Sequence, residues 1–146
     1  MQHLAQLNIA KLKYPIDHPA IKDFKDNLDT INQLAEGSAG FVWRLQDDSG
    51  NATGISAFDD PMVITNMSVW ESVDALKAFT YKSHHVDFVR RRREWFDHME
   101  VYYVLWWVPV GHQPTLVEAK AKLDLLRMQG ETVDAFSFRK VFDYAN

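Results

Sequence analysis

The chain has 146 residues, a formal charge of −4, 47% hydrophobic and 25% charged residues, and no cysteine. That length supports one domain, residues 1–146, with a core of its own, and the balance is that of a soluble globular protein. The negative charge gives no general pull toward nucleic acid or an acidic membrane, and the missing cysteines exclude disulfides, thiolate metal ligands and thiol nucleophiles.

Met1 to Leu7 lacks the basic and long apolar stretches of a signal peptide, so a cytoplasmic location is expected. Leu4 to Leu12 alternates as a strand: Leu4, Gln6, Asn8 and Ala10 share one side, Ala5, Leu7 and Ile9 the other. Pro19 fits a first helical turn capped by Asp17 or His18. Ile21, Phe24, Leu28, Ile31 and Leu34 continue at helical spacing to a stop at Gly37. Phe41 to Gln46 reads as a second strand, with Phe41, Trp43 and Leu45 on one face. Asp47 to Asn51 reads as a turn. Met62 to Trp70 reads as a third strand. The second and third strands pair across a loop of roughly fifteen residues, long by ordinary priors.

Ser72 caps a helix from Val73 that buries Leu76 and Phe79, breaks near Lys82-Ser83 and resumes to about Phe96. Val101 to Val108 is a strand that is apolar on both faces, so it is covered on both sides. The Tyr102 to Val110 run is about half the length of a membrane helix, so no membrane partner is expected. Pro114-Thr115-Leu116-Val117-Glu118 carries a capping box. The helix it opens buries Leu116, Ala119, Leu123 and Leu126 and stops at Gly130. Ala135 to Tyr144 is an extra strand or a docking tail. The βαββαβ order plus a helix predicts an α+β, ferredoxin-like sheet with helices on one face. The other face, apolar too, calls for a second copy of the same sheet, hence a face-to-face homodimer.

The chemistry concentrates on Tyr81 to Phe96. At helical spacing His85, Phe88, Val89, Arg92 and Phe96 share the apolar face, which turns an imidazole and a guanidinium inward. Buried groups of that kind need partners, so a lined polar pocket is expected under this helix. His85 is the candidate acid/base group; the plainer reading is a core histidine bonded to a backbone carbonyl. Arg92 clamps a ligand anion or forms a buried ion pair at the dimer interface, while Arg90 and Arg91 are solvated or paired with acids such as Asp87 or Glu94. An acidic chain with one basic run predicts no nucleic-acid partner. Asn8 and Gln6 need partners if their face is buried. Trp43, Phe79, Trp95 and one of Trp106 and Trp107, taken as Trp106, are candidates to sandwich a flat ligand; core packing is the plainer role for such residues. His112, in a loop, is a candidate at the pocket mouth. No pair of histidines has metal-ligand spacing, so no metal site is expected, and there is no phosphate loop or GxSxG elbow.

Phe41-Val42-Trp43-Arg44-Leu45-Gln46-Asp47, Ser68-Val69-Trp70-Glu71-Ser72, Tyr81-Lys82-Ser83-His84-His85, Arg91-Arg92-Arg93-Glu94-Trp95-Phe96 and Leu105-Trp106-Trp107-Val108-Pro109-Val110-Gly111-His112-Gln113-Pro114-Thr115 occur in this order. Together they resemble a bacterial family known as a domain of unknown function. It falls in the dimeric α/β-barrel, antibiotic-biosynthesis-monooxygenase-like superfamily. The resemblance covers nearly the whole chain and implies that fold and a homodimer. The superfamily includes cofactor-independent monooxygenases of phenolic or polyketide substrates, haem-degrading and other haem proteins, and small-molecule binders. Their sites commonly lie between sheet and helices. Asn8, His85 and Phe79 resemble the haem degraders' constellation in placement, although those proteins carry Trp where Phe79 stands.

Three functions follow as expectations. The first is a monooxygenase-like enzyme without cofactor, acting on an aromatic or polyketide-like ligand, with His85, Arg92 and Asn8 catalytic. The second is a haem-binding or haem-degrading protein with His85 as axial ligand. The third is a dimeric binding protein without catalysis.

Overall fold

The structure, a computed structural model, describes residues 2–15, 18–45, 62–82, 92–97 and 102–143. Alternating side chains make four strands: β1 (Gln2–Lys11), β2 (Phe41–Arg44), β3 (Val63–Trp70) and β4 (Tyr103–Pro109). They pair antiparallel in the order β2-β3-β1-β4. The helices are α1 (Lys22–Glu36), α2 (Val73–Lys82), the single turn α3 (Arg92–Trp95) and α4 (Leu116–Gln129). This is the ferredoxin-like α+β arrangement, with α1 and α2 as the two crossovers. Among the described residues no helix is long and apolar enough to cross a membrane.

The period-two pattern decides which residues meet which layer. On the α1 and α2 side, Leu4, Trp70 and Leu105 pack with Ala35, Leu76 and Phe136. Lower on the same side, Ala10 and Leu12 pack with Ile21, Trp95 and Phe96. On the opposite side, Ala5, Leu7, Met67, Val69, Val104, Trp106 and Val108 meet Ala119, Leu123 and Leu126 of α4.

That last contact corrects one expectation. The second sheet face is met by the chain's own α4, where the sequence reading put a second copy. The turn after β4 is short, so α4 folds straight back over the strand it leaves. Thr115 accepts the Glu118 N–H and caps α4, and the Gly130 N–H donates to the Leu126 carbonyl at its end.

Two local departures have clear causes. The β2–β3 register shifts between Phe41 and Trp43, so Phe41 faces Trp70 while Trp43 lies opposite Val69 on the α4 side. The expected shared face of Phe41 and Trp43 fails because a bulge adds one residue to an edge strand. The helical turn α3 stops at Trp95. Phe96 leaves it to bridge Leu12, and the Asp97 N–H donates to the Lys11 carbonyl.

The expected tail docks. Leu105 and Phe136 exchange both backbone hydrogen bonds, at 2.7 and 2.9 Å. The Trp107 indole N–H donates to the Phe142 carbonyl, and the Tyr103 hydroxyl accepts the Phe138 N–H. The Ser137 hydroxyl donates to Glu131 at 2.9 Å, and this bond is the main reason that Glu131 sits below its ordinary 4.5. A lowered carboxylate contributes stability that is complete above the unfolded value and fades as pH falls through the folded one. Ser137→Ala should therefore flatten the acid limb of stability, read as the difference in urea midpoint between pH 6 and pH 3. An unchanged acid limb would remove Glu131 from that role.

Candidate functional site

The side of the sheet under α1 and α2 is not apolar throughout. Between its two apolar clusters runs a polar band from neighbouring strands: Gln6 and Asn8 on β1, Asn66 and Ser68 on β3. The register sets the band, because Gln6 faces Ser68 and Asn8 faces Asn66. α1 joins the two apolar clusters on this side by its two ends. Phe24 packs at the lower cluster and Ala35 at the upper, while Leu28 and Ile31 between them are half-buried and join neither. Asn66 is exposed, one residue beyond the Leu45–Met67 bond that ends the pairing of β2 with β3 among the described residues, and Asn8 is half-buried.

The band is wired. The Gln6 side-chain amide donates to Asn66 Oδ1 and to Ser68 Oγ, both at 2.8 Å. The Trp70 indole N–H donates to the same Ser68 Oγ at 2.8 Å. These bonds consume the inward groups and leave the Asn66 NH2 outward. No described residue bonds the Asn8 carboxamide. The band therefore offers spare amide donors and acceptors without a net charge of its own.

Its walls are aromatic and cationic. Trp70 and Phe79 stack at 5.3 Å between ring centroids, and Phe41 meets Trp70 edge-on. Arg44 lies opposite Ser68 on the same face, with its side chain 11% exposed and its Nε donating to Glu36 at 2.6 Å. Tyr103 faces Asn8 from β4, but its hydroxyl is turned to the tail. Burial pushes that hydroxyl above its ordinary 10.0, against the pull of Phe138 and Ser137.

The residues named from sequence divide into groups. Asn8 and Phe79 lie on the helix side, the second against the apolar end of the band. Trp95 is 1% exposed in the lower cluster, 5.5 Å from the Phe24 ring, and is core. Trp43 and Trp106 lie on the α4 side, so the sheet itself separates them from Asn8. There Glu118 accepts the Trp106 indole N–H at 2.8 Å and meets His112 Nε2 at 2.7 Å, which holds His112 against α4. Arg92 opens α3, and its side chain, like all of His85, is outside the described residues.

Sequence reading missed Asn66, Ser68 and Arg44. The signal was present for two of them. Asn66 and Ser68 stand between Ile64 and Trp70 on one side of a strand, opposite Gln6 and Asn8 once β1 and β3 pair. Arg44 was hidden by the bulge. Among the described residues no three His, Asp or Glu side chains converge as a metal ion would require.

Solved structures similar to this chain include PA3566 from Pseudomonas aeruginosa, at 13% identity and a TM-score of 0.50, covering 75% of this chain and 94% of that one. A conserved protein from Methanosarcina mazei Go1 is similar at 12% identity and 0.50, covering 75% and 93%. A candidate antibiotic biosynthesis monooxygenase from Chloroflexus aurantiacus J-10-fl is similar at 17% and 0.47, covering 77% and 97%. At these identities the likeness is one of fold. No curated protein matches the chain. The family described as Domain of unknown function (DUF3291) matches residues 3–146, and the chain belongs to that family.

Proposed function

We propose that the chain binds a flat, oxygen-bearing aromatic molecule against the amide band and acts on it as a monooxygenase-like enzyme without a cofactor. The observation that carries this reading is the opposed pair Asn8 and Asn66, with spare hydrogen-bonding groups between the two apolar clusters of the helix side. Neutral amide donors in a partly dry site favour a carbonyl or phenolate oxygen. The Trp70–Phe79 stack supplies an apolar wall for a ring.

In this reading His85 takes a proton from a ring CH2 acidified by a nearby carbonyl. Asn8, Asn66 and Arg92 hold the resulting oxyanion. The carbanion passes an electron to dioxygen and the two radicals join as a hydroperoxide. Loss of water leaves a new carbonyl, so one CH2 and one O2 give one C=O and one H2O. Trp95 has no part in this site, and Trp43, Trp106 and His112 belong to the other face. The homodimer remains part of the proposal, with α4 rather than bare sheet at the contact, and light scattering at twice the chain mass is its test.

The assay is oxygen uptake with anthrone, alongside its binding followed by tryptophan fluorescence. Asn66→Ala should lower kcat/KM about tenfold, the worth of one good hydrogen bond to the developing charge, and His85→Ala should abolish turnover. Binding without uptake would leave a binding protein. A Soret band on adding haem that is lost in His85→Ala would replace this reading with the haem one. No binding of any kind would end it.

A further inference from the structure

The wiring of the amide band has a second self-consistent setting. A half-turn of a carboxamide exchanges its NH2 and its oxygen with almost no change of shape. In the first setting Gln6 donates to Asn66 Oδ1 and to Ser68 Oγ, and Asn66 turns its NH2 outward. Ser68 Oγ then accepts from both Gln6 and Trp70, and its own proton has no acceptor among the described residues. Trp70 cannot reverse, because an indole N–H only donates.

Turn both amides, and the same 2.8 Å contacts run the other way. The Ser68 hydroxyl donates to Gln6 Oε1, and the Asn66 NH2 donates to the same oxygen. Ser68 still accepts from Trp70. Asn66 now presents its oxygen outward. Gln6 is 8% exposed and Ser68 7%, so the choice is made inside and displayed by the exposed Asn66.

We propose that Gln6 is a positioning residue that sets, through Asn66, whether the site displays a hydrogen-bond donor or an acceptor. The same band then accepts a flat ring whose facing group only donates, such as an aromatic N–H, and one of the same frame whose facing group only accepts, such as a ring carbonyl. This rests on the aromatic-oxygen reading above and adds a substrate property to it. A fixed Asn66 donor would disfavour the N–H form, because two donors that face each other make no hydrogen bond.

The test uses carbazole and 9-fluorenone, which share a three-ring frame; the first presents an N–H that only donates, the second a carbonyl that only accepts. The wild-type chain should bind both with affinities within about threefold, less than the worth of one hydrogen bond. Gln6→Glu offers only acceptor oxygens, so Ser68 and Asn66 must donate inward. Its fluorenone affinity should fall about tenfold while carbazole is retained. In the wild-type chain, the NMR signal of the Gln6 side-chain amide should move with carbazole and stay with fluorenone. That measurement stands even if Q6E fails to fold. Equal losses for both ligands in Q6E, or the same Gln6 response to both, overturns the inference and leaves the binding reading intact. If neither compound binds the wild-type chain, both fall together.

Discussion

Phe136→Ala is expected to cost about 3–5 kcal/mol of folding stability, the range for truncating a fully buried aromatic side chain. Phe136 is 0% exposed and packs with Leu4, Trp70, Leu105 and Trp107. Its backbone also exchanges two hydrogen bonds with Leu105, so the ring anchors a segment that has no regular ladder beyond it. Removing it should loosen the tail as well as hollow the cluster. Urea unfolding reads the first effect, and amide exchange of residues 137–143 reads the second. A loss under about 1 kcal/mol, less than a single deleted methylene or two, would mean that the tail lies outside the cooperative core.

Gly40→Ala should cost about 3 kcal/mol, from two sources. The residue has φ +82°, a left-handed conformation that costs a side chain roughly 1–2 kcal/mol. A Cβ there would also stand 2.5 Å from the Ala75 Cβ, so α2 would have to retreat, an overpacking penalty of about 1–3 kcal/mol. Two other glycines separate the causes. Gly130 has φ +72° with nothing near its added Cβ, so Gly130→Ala should show the backbone cost alone. Gly37 has φ −87° and its nearest contact is a carbonyl oxygen at 3.5 Å, so Gly37→Ala should be neutral or mildly stabilising. If Gly40→Ala costs no more than Gly130→Ala, the close approach of α2 is not rigid. The displacement would also reach the site, because Phe79 rides on α2.

Period and punctuation made most of the fold legible. β1 and β3 alternate over ten and eight residues, and β4 is a seven-residue apolar run closed by Pro109. The β2 bulge was not legible, since one residue added to a four-residue edge strand leaves no composition signal. It moved Trp43 to the far side and brought Arg44 beside Ser68. The stripe of α4 was read as Leu116, Ala119, Leu123 and Leu126, of which the last three are buried and Leu116 is half-buried against the same cluster; its partner was not read, because a sequence names an apolar face without naming what meets it. Asn8 was visible as a polar residue on an apolar strand. Asn66 needed the β1–β3 register, which only pairing supplies. Trp106 has the composition of a ligand wall, yet its indole N–H is held by Glu118 on the far face. The expectation for His85 lies outside the described residues, so the fate of its imidazole is a matter for the mutants above.

The docked tail bears on how the protein is made. β4 is an outer strand, and Phe136 is the first residue to bond along its free side. On the ribosome, every earlier element is synthesised while that strand still has an open rim. An unpaired apolar rim recruits other chains. Stalled or clipped products ending before residue 136 should therefore aggregate at concentrations where the intact polypeptide stays dispersed.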